Sequence, residues 1–577
     1  MNLDIEISKD GYKVLKIKKN NKITYLGSKY NQKREIEKFI NQFEHFTVKD
    51  NYIILGLSFG EHIQELLEQI DESSKILIIE FDNELIEYCK KDNKIKKIID
   101  NKQIIVANSI AEVELFIYQY VNEINLENVQ IKAYSLYDKI YLEKSKGVYL
   151  RIKELFVRIK LQKNTIELSG DKFFNNLLLN LKYIAKSTPV NKLQNVYKDK
   201  PAVIVSAGPS LVKNIDALKD INNAVILTGG RTLGALVEKN IVPSCLGIVD
   251  PGEVAYKLVQ PYIKAIDCPL FFTEMTNNTI IQEHEKGKFF DTQTQFVRKA
   301  WKENIISLYG GGSIAHTLTN LAIYMGCNPI IFIGQDLAYT GEQGHAACSG
   351  NKWDEWSFDR YKAKNDIYVK DINGDSVRTS LLLNEYRLCL EIIISQYPEI
   401  KFINASEGGA NIEGCQNRTL KDVLRDLKKE KIISMENFLT DNNKTEETIT
   451  ELQNNLKVFN NYINLCESCK QFLKNYKISY YLNDQDEVNK NIKKLDKLEE
   501  EIKKKAKEIS LIYPIILQVL YNINNKEEFI IKSSDTKSVA FNKDVNRSEA
   551  LYSGIEKVMK ECYEKVEQII KELKVEG

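Results

Sequence analysis

Ser206-Ala207-Gly208-Pro209-Ser210 closes an apolar run, AVIV from Ala202, and leads into a segment of helical character. Glycine lets a backbone approach an anion, proline presets the turn, and a serine caps a helix whose first-turn amides offer donors to negative charge. This is the anatomy of a phosphate or nucleotide loop, although it is neither a GxxxxGK[ST] loop nor a complete GxGxxG, and a plain strand-to-helix turn uses the same residues. A second glycine run, Gly310-Gly311-Gly312-Ser313, precedes the amphipathic segment SIAHTLTNLAIY and reads as another backbone cradle or as a simple N-cap. The stretch from Gly334, Gln335 and Asp336 through Tyr339 to His345 gathers amide, carboxylate, phenol and imidazole on a strand exit. Those are the groups of a transfer site. Tyr339 can donate to a phosphate leaving group, and His345 can act as general base toward a hydroxyl because imidazole titrates near neutral pH. The plain alternative for His345 is a surface-loop histidine, whereas His316, inside the amphipathic segment, reads as a structural helix position.

The elements that position these groups are strands alternating with helices. Apolar runs at AVIVSA, AVILTGG, CLGIVDP, PLFFTEM, PIIFIGQD and KFINAS, with helical segments between several of them, predict a mostly parallel sheet. Ligands on such sheets collect at the carboxyl ends of the strands. There the chain places Thr228-Gly229-Gly230-Arg231, Asp250-Pro251-Gly252, Thr273-Glu274, Gly334-Gln335-Asp336 and Ser406-Glu407-Gly408-Gly409, five loops expected to converge on one edge.

At 577 residues the chain is long enough for several domains, and its formal net charge of +1 argues against a nucleic-acid surface. We divide it into an N-terminal Rossmann-like α/β domain with a helical bridge (1–195), a central catalytic α/β domain (196–427) and an all-α C-terminal domain (428–577). In the first domain the strand-like YIILGLS, KILIIEFD and KQIIVANS surround a sparse glycine loop, Gly56 and Gly60, and Glu80 stands where a ribose-binding acid would stand. The last domain is rich in Lys, Glu, Asn, Leu and Ile, and its charge runs read as solvated helix faces. Ten scattered cysteines in a chain of this size indicate a reducing cytoplasm, and the CxxC of Cys466 and Cys469 has no second pair to complete a zinc site. No run is long enough to span a bilayer, and no His, Cys or carboxylate cluster has metal-ligand spacing.

Taken together, VIVSAGPSL, LTGGRTL, GIVDP, GGGSIAHTLTNLAIYMGCNPIIFIGQDLAYTGEQGHA, the DINGDSVRTS hairpin and NASEGGANIEG resemble the bacterial motility accessory factors, a family of flagellin glycosyltransferases. The core is also similar to CMP-sugar sialyltransferases and to an archaeal pterin pyrophosphokinase. The resemblance implies transfer of a nonulosonic acid, of pseudaminic or legionaminic type, from its CMP-activated form to serine or threonine hydroxyls of flagellin. It implies no tightly bound cofactor or metal, and leaves homo-oligomer formation open. By motif, Ser206, Gly208, Pro209 and Ser210 would border the nucleotide, Thr228, Gly229, Gly230 and Arg231 would meet sugar or phosphate, and Gly312 with Ser313 would hold the cytidine side. Asp250, Gln335 and Asp336 complete the donor-binding set. His345 falls where the sialyltransferases keep their base, Tyr339 assists the leaving group, and Glu407 is the fallback base. The competing readings are an ATP-dependent pterin pyrophosphokinase and a non-catalytic flagellin-binding or export protein; in either flagellin reading the C-terminal helices would dock flagellin.

Overall fold

The computed structural model describes residues 3–576 except 20, 21, 44, 45, 48, 49, 124, 220, 309, 347–365, 506–510, 525, 533 and 534. The chain forms two compact units. The first comprises Met1–Leu168, Cys466–Asp496 and Leu517–Ile555; the second comprises Ser169–Leu465, Lys497–Ile516 and Glu556–Gly577. The region after Lys428, set apart in sequence by composition, is helical, with long helices at Thr445–Tyr481, Gln485–Lys505 and Lys537–Glu576, and its residues are shared between the two units.

In the first unit, β1 (Asp4–Ile7), β2 (Lys13–Lys19) and β3 (Lys22–Leu26) form an antiparallel meander that the sequence reading did not anticipate. Four parallel strands follow: β4 (Asn51–Leu55), β5 (Lys75–Ile79), β6 (Ile104–Ala107) and β7 (Val129–Ala133), in the order β6-β5-β4-β7. The NYIIL and KILII runs occupy the two central positions. A parallel strand covered on both faces reads as continuously apolar, as these do.

The second unit carries a nine-stranded sheet. Its strands are β8 (Thr188–Pro189), β9 (Ala202–Val205), β10 (Val225–Gly229), β11 (Cys245–Ile248), β12 (Leu270–Thr273), β13 (Lys288–Asp291), β14 (Ile330–Ile333), and, after the two-stranded hairpin of β15 (Asp366–Lys370) and β16 (Ser376–Ser380), β17 (Phe402–Asn404) and β18 (Gln416–Asn417). The order is β18-β17-β14-β9-β10-β11-β12-β13-β8, and every pairing is parallel. The sheet begins at Thr188, on the N-terminal side of the 195/196 boundary drawn from sequence.

The side-chain period of two divides each strand between two cores. Ile204, Leu227 and Phe332 pack on one face with Leu318, Leu321 and Leu390, while Val205, Ile226 and Ile333 pack on the other with Leu211, Leu236 and Leu420. On the first face the helix Ile314–Tyr324 lies unusually close to the sheet. A Cβ added at Gly229 would stand 2.8 Å from Ile314 Cγ2, and one at Gly247 would stand 2.7 Å from Leu318 Cδ2. These glycines therefore serve helix-to-sheet packing.

Candidate active site

The chain leaves β9 through β10, β11, β12 and β13 in one direction, then returns to place β14 on the other side of β9. Such a reversal of strand order opens a crevice at the carboxyl ends of the two strands flanking it. A cavity of about 220 Å³ lies there. Its wall is made by Val205 to Gly208 after β9, by Gly229, Arg231 and Thr232 after β10, and by Ser313, Ile314, Ala315 and Leu318 of the approaching helix. Gly334 to Ala338 after β14, Gly344, His345, Leu383 and Tyr386 complete it.

Asp336 organises the floor. Its carboxylate accepts from the Ser210 amide at 3.1 Å, from the Ser210 hydroxyl at 2.5 Å and from the Thr340 hydroxyl at 2.6 Å. Its carbonyl accepts from the Ala410 amide at 2.7 Å, so one residue ties together the loops after β9, β14 and β17. Burial pushes the Asp336 carboxyl above the ordinary range, while the bonds from Ser210 and Thr340 pull in the opposite direction. The fit leaves no room: a Cβ at Gly208 would come within 2.2 Å of Asp336 Oδ1, and one at Gly409 within 2.3 Å of the Asp336 backbone.

This geometry corrects the reading of the first loop. No α-helix follows SAGPS; the chain makes two short 3-10 turns, Pro209–Lys213 and Ile215–Leu218. Ser210 caps no helix, because both its amide and its hydroxyl are given to an internal carboxylate. That carboxylate occupies the donors a phosphate would need. Pro209 and Ser210 are buried behind the wall, whereas Ser206 and Gly208 line the cavity.

The α-helix N-terminus at the crevice belongs instead to Ile314–Tyr324. Ser313 caps it, accepting from the Ala315 amide at 3.3 Å. The preceding Gly311, at φ +143, lies over His316, whose Nδ1 would be 2.6 Å from an added Cβ. His316 is fully buried and its pKa is lowered by burial; Nε2–H donates to the Tyr386 carbonyl at 2.8 Å. The structural role expected for His316 is thus a brace between this helix and Leu381–Ser395. Gly312 abuts the Tyr386 ring and does not belong to the cavity wall.

Among the other expected residues, Gly229, Arg231, Gln335 and His345 line the cavity. His345 sits exposed at the rim, on a segment fixed by the Ala346 amide donating to the Ala207 carbonyl at 2.9 Å. Thr228 is buried and bonds the Thr232 hydroxyl, so Thr232, which the sequence reading missed, presents itself in its place. Gly230 packs against Val259. Tyr339 does not line the cavity; the Arg378 guanidinium covers its ring at 4.5 Å from the centroid. Glu407 also lies outside the wall, accepting from the Leu420 amide at 3.2 Å, with its carbonyl taken by Lys213 Nζ. Asp250 is exposed and bonds the Gly252 amide at 2.7 Å. The five loops share one sheet edge, but those of β11 and β12 are displaced from the reversal by the strand order and do not reach the cavity, and the Ser406–Gly409 loop after β17 lies behind Asp336 and does not line it.

The glycine loop of the first unit holds its own side chains. Glu80 accepts from the Leu57 and Asp82 amides, each at 3.0 Å, and from the Tyr137 hydroxyl at 2.8 Å. The Tyr137 ring would lie 2.8 Å from a Cβ at Gly56. Carboxylate and ring fill the ground that a ribose would take, and burial lifts the Glu80 pKa to about 7.

The second unit is thus a doubly wound parallel α/β fold with a ligand crevice at its strand-order reversal. Residues 175–342 match the family described as 6-hydroxymethylpterin diphosphokinase MptE-like. Over 99% of its length the chain also shares the fold of a Maf glycosyltransferase from Magnetospirillum magneticum AMB-1, with a TM-score of 0.62, 13% sequence identity and 93% of that chain covered. A search of curated proteins gave no match. No helix among the described residues is long and apolar enough to cross a membrane, and no group of three or more His, Cys, Asp or Glu among them is placed to hold a metal ion.

Proposed function

We propose that this protein is a cytoplasmic glycosyltransferase that moves a nonulosonic acid from its CMP-activated form to hydroxyls of flagellin. The observation that carries the reading is the crevice itself, where a capped α-helix N-terminus, Arg231 and a rim histidine line one cavity of about 220 Å³. Full-length similarity in fold to a Maf glycosyltransferase supports it. In the reaction, the bond from the anomeric carbon to the phosphate oxygen breaks and its electron pair leaves on CMP. The acceptor oxygen forms the new bond, and its proton passes to His345. The positive end of the Ile314–Tyr324 helix dipole and the Arg231 guanidinium stabilise the charge that develops on the leaving phosphate. The helices after residue 428 are the docking surface for flagellin in this proposal.

The match of residues 175–342 to an MptE-like family favours a second reading, pyrophosphoryl transfer from ATP to a pterin. Incubation of the full-length protein with flagellin and a CMP-nonulosonic acid, read by intact mass, separates the two. A mass increment of one sugar per modified site is expected. Absence of any increment, with AMP formed from ATP and a hydroxymethylpterin, would establish the second.

A further inference from the structure

One polar group in the crevice has no hydrogen-bond partner among the described residues. It is Oε1 of Gln335, a residue that is 4% exposed and lines the cavity. A buried carbonyl oxygen without a donor is costly, and where such an oxygen lines a cavity a bound ligand can supply the donor. The side chain has no easy retreat, because its backbone is pinned on both sides. The Gln335 amide donates to Ser406 Oγ at 2.9 Å, and the Ser406 amide donates in turn to Asn404 Oδ1 at 3.1 Å. Gly334 holds φ +61 with its would-be Cβ 2.1 Å from the Ser206 carbonyl, and the clamp of Asp336 follows directly. The amide head is therefore preorganised as an acceptor, in the same cavity as a helix N-terminus whose dipole favours an anion.

Resting on the glycosyltransferase reading, we propose that Gln335 is the specificity-determining residue of the donor site, its Oε1 accepting from an N–H or O–H group of the bound CMP-sugar. The exocyclic amine of cytosine is one such group, and a ribose or sugar hydroxyl is the other. A site built to accept from a ligand N–H rejects an analogue that presents an acceptor instead, because two oxygens then face each other. Uracil differs from cytosine in this way, with a carbonyl oxygen where cytosine has its amine.

The test uses the full-length protein and Q335M, which keeps side-chain length and removes the amide. Because Oε1 bonds nothing among the described residues, Q335M should melt at or above the wild-type temperature, an outcome that a structural role for the amide would not give. Titration calorimetry with CMP, UMP and CMP-N-acetylneuraminate should then show roughly 5- to 30-fold weaker binding of the cytidine ligands by Q335M. Weaker CMP binding with loss of the CMP-over-UMP preference assigns the cytosine amine. A deficit with that preference intact, or seen only with the sugar nucleotide, assigns a hydroxyl. Wild-type affinity of Q335M for both cytidine ligands, or a fall of several degrees in its melting temperature, overturns the proposal. Failure of the wild-type protein itself to bind either cytidine ligand overturns the glycosyltransferase reading along with it.

Discussion

Replacing Gly208 with alanine adds one methyl group at a tightly packed point of the crevice and nothing else. The residue holds φ −64 and ψ 156, an extended conformation open to any amino acid, so backbone strain does not enter. The new Cβ, however, would stand 2.2 Å from Asp336 Oδ1 and 2.4 Å from the Gly334 carbonyl oxygen. Carbon and oxygen approach comfortably at about 3.3 Å, so one side must move by on the order of 1 Å. Neither side moves freely. The carboxylate is held by Ser210 and Thr340, and the Gly334 carbonyl accepts the Gly208 amide at 2.7 Å. Displacing the loop weakens one backbone bond and the charge-assisted pair from Ser210, a loss of about 2–4 kcal/mol. In a unit of this size that lowers the melting temperature by roughly 3–6 °C. Because the same loop forms the cavity wall, transfer should fall by about 100-fold. Differential scanning calorimetry and a CMP-release assay on G208A measure both. A variant that melts and turns over like the wild type would refute the close packing on which this argument depends.

A contrasting substitution is Gly147→Ala in the helix Leu142–Ile184, where an added Cβ meets nothing within 4 Å; it should stabilise the protein by about 0.5–1 kcal/mol, read in the same calorimeter. Burial, reinforced by Glu274, raises the Asp291 pKa to about 8, so between the unfolded carboxylate range and that value the native state binds the extra proton and stability falls as pH rises, by about 1.4 kcal/mol per unit at most. Asp291→Asn, which keeps an acceptor for the Leu308 amide, should flatten the decline in melting temperature from pH 5 to pH 8, and an unchanged slope would show that Asp291 is ionised in the fold. His345→Ala should slow transfer by roughly 100- to 10,000-fold while CMP affinity, measured by calorimetry, stays nearly constant; near-normal turnover would remove His345 from the role of base.

Much of the scaffold is legible in the amino-acid sequence because its strands are buried on both faces. All six strands read in the central region form, since runs such as AVIV and IIFI supply apolar side chains to both faces and glycine or polar residues mark where each strand ends. The strands that escaped notice are short or broken by polar residues: β8 and β18 have two residues each, the meander of β1, β2 and β3 interleaves lysines with its apolar positions, and β7 (VQIKA) and β13 (KFFD) carry charged or amide residues inside four- or five-residue runs. Strand order is not written locally at all. An expectation that five loops meet therefore includes those of β11 and β12, which lie beyond β10 from the reversal, and that of β17, which lies beyond β14.

The finer chemistry was hidden for a related reason. A serine after a glycine turn has the same local signature whether its amide awaits a phosphate or already holds a carboxylate, and here the carboxylate arrives from Asp336, 126 residues away. Thr232 and Tyr386 were concealed differently, within helices whose periodicity speaks only of packing, so nothing in their neighbourhoods marks them as cavity residues. The internal anion also has a consequence for where the donor binds. With the Ser210 amide and hydroxyl committed to Asp336, a second negative charge beside them would meet repulsion at close range in a poorly solvated site. In the proposed reaction the leaving phosphate is therefore better held across the crevice, at the Ser313 end of the helix and Arg231, with the Asp336 loop fixing the wall and Gln335, as proposed, reading the uncharged part of the ligand.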